Sequence, residues 1–79
     1  MYTRQGCHLC EDAWDILQTA QKKYAFRLQQ IDVDTDAALA EQYGLLVPVV
    51  TVDGEVRFRG KVNAVLLHRL LRARSARES

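Results

Sequence analysis

Apolar residues recur along this chain at changing intervals, and each change of interval marks a new element. After a short β-prone start, "MYT", and a turn at "RQG", apolar positions fall at Cys10, Ala13, Trp14, Leu17, Ala20 and Tyr24. Intervals of three and four describe one face of a helix, which predicts a helix from Cys7 to about Tyr24. Its acids (Glu11, Asp12, Asp15) come early and its lysines (Lys22, Lys23) late, the order that the helix dipole favours. "FRLQQIDVD" ends in β-branched residues and predicts a strand. "DTDAALAEQYG" predicts a short helix, with Asp34 or Thr35 to cap it and Gly44 to stop it. "LLVPVVTV" is a continuous apolar run of strand length and predicts a strand buried on both faces.

Asp53-Gly54 then stands between two β-prone runs, the pattern of a two-residue hairpin. On the return strand Val56 and Phe58 alternate with Glu55, Arg57 and Arg59, which predicts one wet face. Gly60 breaks the strand. "NAVLLHRLLRAR" is a last helix, with Asn63 as cap and Leu66, Leu67, Leu70 and Leu71 as its apolar face. The order is β-α-β-α-β-β-α. Early alternation implies parallel strands joined by crossover helices, and the hairpin adds an antiparallel strand. The expected fold class is therefore α/β: one four-stranded mixed sheet flanked by helices. Residues 1–74 form a single domain, and a tail over 75–79 is expected to fray.

Seventy-nine residues lie near the lower size at which one core holds a fold without staples. No apolar run approaches the ~18 residues that a membrane span needs. "MYTRQG" has no apolar stretch behind its basic residue, which argues for the cytoplasm. The net charge of +1 calls for no polyanion. Seven of the eleven basic residues follow residue 56, while nine of the ten acids precede it. Arg69, Arg72 and Arg74 in this basic half complement the end of the last helix. The aromatic interleaving of a base-stacking platform is missing, so neither nucleic acid nor membrane is an expected partner, and a monomer is.

Two features carry chemistry. The first is "GCHLC", two cysteines three apart at a helix start. In a small chain without a disulfide framework, such a pair is a redox dithiol, part of a metal site, or two idle thiols. A closed zinc site takes four ligands, and no second C-x-x-C or histidine pair exists, so no metal is expected. The second is Pro48, the only proline, placed where a strand ladder cannot use it. It marks either a strand that begins at Val49 or a deliberate cis peptide bond.

Taken together, "YTR" before "GCHLC" at a helix start, "IDVD", a helix, "VP" opening a strand, a "DG" hairpin and a closing helix resemble a glutaredoxin. The likeness is closest to the short bacterial glutaredoxin-like proteins of the thioredoxin superfamily, and it spans roughly residues 2 to 71. It implies a thioredoxin-like fold and thiol–disulfide oxidoreductase activity. By this resemblance Cys7 is the nucleophile and Cys10 the resolving thiol, the two forming a Cys7–Cys10 disulfide. Pro48 is the cis proline facing them, and Val47 offers its backbone to a bound substrate. Three departures stand out. The first strand is shortened, His-Leu replaces the Pro-Tyr of many glutaredoxins, and the glutathione-holding glycine pair and acid shrink to "GKVN".

The chemistry then sets further expectations. Cys7 at a helix N-terminus faces unpaired N–H groups and should be more acidic than a free thiol at about 8.5, tempered by the nearby acids. Arg4 and His8 are expected to add positive potential beside it and to contact substrate. Trp14, Leu17 and Tyr24 read as core, Glu11 as a solvated first-turn acid, and His68 as a partly exposed helix residue. The expected substrate is a disulfide-bearing protein or a low-molecular-weight thiol. No resident cofactor is expected; glutathione or a thioredoxin-reductase-like enzyme supplies electrons. The competing readings are a metal or iron–sulfur carrier that uses the same cysteines, and a thioredoxin-fold interaction module whose thiols are idle.

Overall fold

A computed structural model describes residues 1–78, with side chains described as far as Arg74. The element order is β1 (Tyr2–Thr3), α1 (His8–Gln21), β2 (Ile31–Asp32), a 3-10 turn (Val33–Thr35), α2 (Ala37–Tyr43), β3 (Val49–Val52), β4 (Glu55–Arg59) and α3 (Ala64–Glu78). The strands form one mixed sheet in the order β2-β1-β3-β4. β1 runs parallel to β2 and antiparallel to β3, and β3 pairs antiparallel with β4. The tail expected to fray over 75–79 falls largely outside the described side chains, and Ser79 outside the described residues.

The core lies between α1 and α3 on one face of the sheet. Cys10, Ala13, Leu17 and Ala20 from α1 meet Val50 of β3, Val62, and Leu67 and Leu71 of α3. Trp14 and Tyr24 pack against this cluster from its edge. Val49 neighbours Val50 along the strand, so it points to the opposite face, where it is fully buried. Tyr2 pairs with Val49 and shares that face, and its ring stacks on Tyr43 of α2 at 4.5 Å. α2 therefore covers the second face, and helices flank the sheet on both sides. His68 edges the Tyr24 ring at 5.6 Å, with its Nδ1 3.5 Å from the Tyr24 hydroxyl.

Several boundaries move for local reasons. α1 stops at Gln21 because its last amides tighten to i→i+3 bonds: Lys22 N–H donates to Thr19 O and Lys23 N–H to Ala20 O. The strand expected from Phe26 to Asp34 shrinks to Ile31–Asp32, because β1 offers only Tyr2 and Thr3 as ladder partners. α2 is capped by Asp36, whose Oδ1 accepts from Ala38 N–H at 2.8 Å. Asp34 and Thr35, the expected caps, belong to the preceding 3-10 turn, where Thr35 Oγ1 donates to Asp32 O.

β3 begins only at Val49, since Pro48 has no N–H to give, and Leu45 stands 98% exposed outside the sheet. In β4, Thr51 pairs with Val56 while Val50 pairs with Phe58, so a bulge at Arg57 breaks the expected alternation. Val56 is turned to the face opposite Phe58 and is left exposed. The hairpin itself forms at Asp53-Gly54, both with positive φ (52° and 85°), the geometry of a type I′ turn. Asn63 caps α3 by accepting from Leu66 N–H at 3.1 Å.

Leu67 is 1% exposed at the centre of the cluster, whereas its neighbour Leu66 is 50% exposed. Leu67→Ala should cost about 2–5 kcal/mol in urea unfolding, from lost transfer energy and the cavity left behind. Leu66→Ala should stay within about 0.5 kcal/mol of wild type.

Candidate functional site

Cys7 is the N-cap residue of α1, with extended backbone (φ −96°, ψ 104°). Gly6 immediately before it has φ +75°, a conformation L side chains rarely adopt, and so turns the chain from β1 into the helix. An N-cap side chain normally accepts from one of the first unpaired helix amides, and here sulfur takes that place: Cys10 N–H donates to Cys7 Sγ at 3.1 Å. The Cα atoms of Cys7 and Cys10 are 5.2 Å apart, inside the disulfide range, and the two sulfurs are bonded. Burial separates them. Cys10 is 2% exposed and belongs to the core cluster, while Cys7 is only partly covered at its edge. Cys7 is thus the more accessible partner of the pair and Cys10 the more buried one.

Arg4 holds the frame of this turn. Its Nε donates to Asp34 Oδ2 at 3.0 Å and its Nη2 to Asp34 Oδ1 at 2.9 Å. Its Nη1 donates to Gly44 O at 3.1 Å. One guanidinium thus ties the segment leading to Cys7 to the 3-10 turn and to the end of α2. Gly44 permits this approach: a Cβ there would lie 3.0 Å from Arg4 Nη2 and 3.2 Å from Nη1, besides colliding with Ala40 O. The pairing pulls the Asp34 carboxyl below its ordinary 3.8, chiefly through the hydrogen bond from Arg4, and raises Arg4 in return.

Of the other expected site residues, His8 projects into solvent, its side chain 94% exposed, with Nδ1 3.6 Å from Glu11 Oε2. The Val47–Pro48 peptide bond is cis. Val47 packs against the same core cluster as Cys7, and Pro48 is fully buried beside it in sequence. Gly60 N–H donates to both Leu46 O at 3.2 Å and Pro48 O at 2.9 Å, which anchors the loop after β4 to this segment.

A cleft of about 550 Å³ opens beside the cysteines, and both contribute to its wall. It is also lined by Arg4, Glu11, Trp14, Asp15, Gln30 and Asp32. Asp15 is among the acids expected near Cys7; sequence reasoning missed Gln30 and Asp32 as neighbours of the dithiol, and missed Asp34 and Gly44 as the partners of Arg4. A carboxylate 30 residues from its guanidinium leaves no trace in local spacing. Among the described residues no group of three or more His, Cys, Asp or Glu could hold a metal ion. Among the described residues no helix is long and apolar enough to cross a membrane.

The Arg4–Asp34 pair has a signature in acid. Because the folded carboxyl titrates below 3.8, its contribution to stability is complete above that value and is lost as pH falls through the lower folded value. Asp34→Asn should therefore be less stable than wild type at neutral pH, and the gap should close in acid. Urea unfolding of both proteins from neutral pH to well below 3.8 reads this directly. A gap independent of pH would mean that the carboxylate charge is not what Arg4 holds.

The family model of the glutaredoxin-like domain (DUF836) matches residues 1–72. The solution NMR structure of protein Ne2328 from Nitrosomonas europaea matches this chain with a TM-score of 0.74 at 30% sequence identity. That match covers 89% of this chain and 85% of the other. Both agree with the thioredoxin-like arrangement of three helices about a four-stranded mixed sheet. The matched span contains both cysteines, Arg4, Val47 and Pro48, and on this footing the chain belongs to the glutaredoxin-like (DUF836) family.

Proposed function

We propose that this protein is a thiol–disulfide oxidoreductase in which Cys7 attacks and Cys10 resolves. The observation that carries the reading is the asymmetry of the pair: Cys7 sits at the helix cap with an amide aimed at its sulfur, and Cys10 lies buried behind it. When the disulfide is reduced, the Cys10 N–H and the positive end of α1 favour a thiolate on Cys7, the form that attacks disulfides. The buried Cys10 thiol is shielded from external disulfides but stands within bonding distance of Cys7. It can therefore close the internal disulfide and free the reduced substrate.

In this reading Arg4 acts by positioning the segment that leads to the dithiol, since its donors are engaged by Asp34 and Gly44. His8 and the backbone of Val47 beside Pro48 remain the groups proposed to meet substrate. The substrate is a disulfide-bearing protein or small disulfide, and the protein works as a monomer in the cytoplasm. It carries no resident cofactor, and electrons are returned by glutathione or by a thioredoxin-reductase-like enzyme.

The test is the mass of the intact protein, under native conditions, across a series of glutathione redox buffers. Reversible loss of two hydrogens with no metal supports the reading, and the midpoint gives the potential on the scale of known dithiol carriers. Cys10→Ser should trap a stable mixed disulfide on Cys7, whereas Cys7→Ser should abolish turnover. Bound zinc, or iron with sulfide, and no disulfide until metal is stripped, would replace this reading with that of a metal carrier. Full function in cells by Cys7→Ser would make the fold an interaction module.

A further inference from the structure

The charge lining the cleft beside the dithiol bears on which disulfides reach it. Four ionisable side chains besides the cysteines line that cleft: Arg4, Glu11, Asp15 and Asp32. The one cation among them is matched locally, because two of its donors lie on the Asp34 carboxylate and a third on Gly44 O. Arg4 is held chiefly by Asp34 and also attracts Asp32, so this one cation faces four carboxylates (Asp34, Asp32, Glu11 and Asp15) and the net charge around the sulfurs is negative. His8 offsets Glu11 only when protonated, and its side chain is 94% exposed. Trp14 supplies an apolar surface in the same wall.

From this we infer that the protein selects disulfides set in positively charged surroundings, such as lysine- or arginine-flanked protein disulfides, over anionic ones such as oxidised glutathione. The inference rests on the oxidoreductase reading above. A cleft lined by one sign of charge concentrates oppositely charged reactants and slows like-charged ones. Each half of oxidised glutathione carries more carboxylates than amines, so it meets the acidic wall at a disadvantage. The reaction balances without another reactant. The Cys7 thiolate attacks one substrate sulfur, forming a mixed disulfide and releasing the first thiolate. The Cys10 thiolate then attacks Cys7 Sγ, closing the internal disulfide and releasing the second thiolate. Two electrons pass from the dithiol to the substrate disulfide, and the two thiol protons pass to the released thiolates.

The experiment uses the pre-reduced full-length protein and three small disulfides: cationic cystamine, neutral 2-hydroxyethyl disulfide and anionic 3,3′-dithiodipropionate. Oxidation is followed by the fluorescence of Trp14, the only tryptophan, which lines the cleft. Each rate is divided by that of free 2-mercaptoethanol with the same disulfide, which removes differences in intrinsic reactivity. At low salt the normalised cationic-to-anionic ratio should be about tenfold or more. It should shrink as the Debye length falls to about 10 Å at 0.1 M and below. The double variant Glu11→Gln, Asp15→Asn should lower the cationic-to-anionic ratio several-fold; any change it makes in Cys7 reactivity acts on all three disulfides alike and cancels in that ratio. Asp32 is spared because its side chain also caps the 3-10 turn.

A ratio near one with a normal neutral rate overturns the charge selection and leaves the oxidoreductase reading standing. So does a high ratio that neither salt nor the double variant reduces. Failure to reduce the neutral disulfide at all removes the oxidoreductase reading itself.

Discussion

The first turn of α1 carries a constraint from which much of this protein follows. A helix start must satisfy its unpaired amides, and here one amide is met by sulfur: Cys10 N–H points at Cys7 Sγ. The same turn must place Cys10 on the face that packs between the sheet and α3. Helical geometry meets both demands with two intervening residues, since position i+3 lies above the cap while turning inward. His8 and Leu9, the residues between, are consequently driven to the outside and are exposed. Capping, core packing and sulfur asymmetry are thus one arrangement seen at three scales.

The turn needs a fixed support, and the sheet alone gives little. β1 is two residues long and pairs with β3 through a single position, Tyr2 with Val49. Arg4 supplies what the ladder lacks by binding the chain to Asp34 on one side and to the end of α2 on the other. A guanidinium suits this role because its planar fork matches a carboxylate with two donors and keeps a further donor for a carbonyl. The same engagement spends most of the cleft's one cation on Asp34 and leaves its lining with a net negative charge. A structural tie thereby shapes the electrostatics of the reactive site.

The two faces of the sheet are filled differently. Val50, α1 and α3 build the larger core around Leu17, Leu67 and Leu71. Val49 is buried on the reverse face, which α2, a helix with no fully buried residue of its own, reaches through Tyr43 stacked on Tyr2. The cis Pro48 segment leads into β3 and is held by the loop at Gly60 through the carbonyls of Leu46 and Pro48.

Elements specified by neighbours in the chain were legible in the sequence. The three- and four-residue intervals of α1, the cap at Asn63, the Asp53-Gly54 hairpin and the C-x-x-C pair at a helix start all depend on groups a few residues apart. Hydrogen-bond reach and helical period determine such features whatever the rest of the chain does. Where several residues could serve the same local role, tertiary contacts decided. Asp36 caps α2 because Asp34 and Thr35 are taken up by the preceding 3-10 turn. The strand after Phe26 is short because its partner is short. A bulge at Arg57 turns Val56 away from the face of Phe58. The sequence by itself determined which residues could react and which helix would present them. Only the tertiary structure decided which charges surround them, because ion pairs form between side chains that folding brings together, and separation along the chain does not record that meeting.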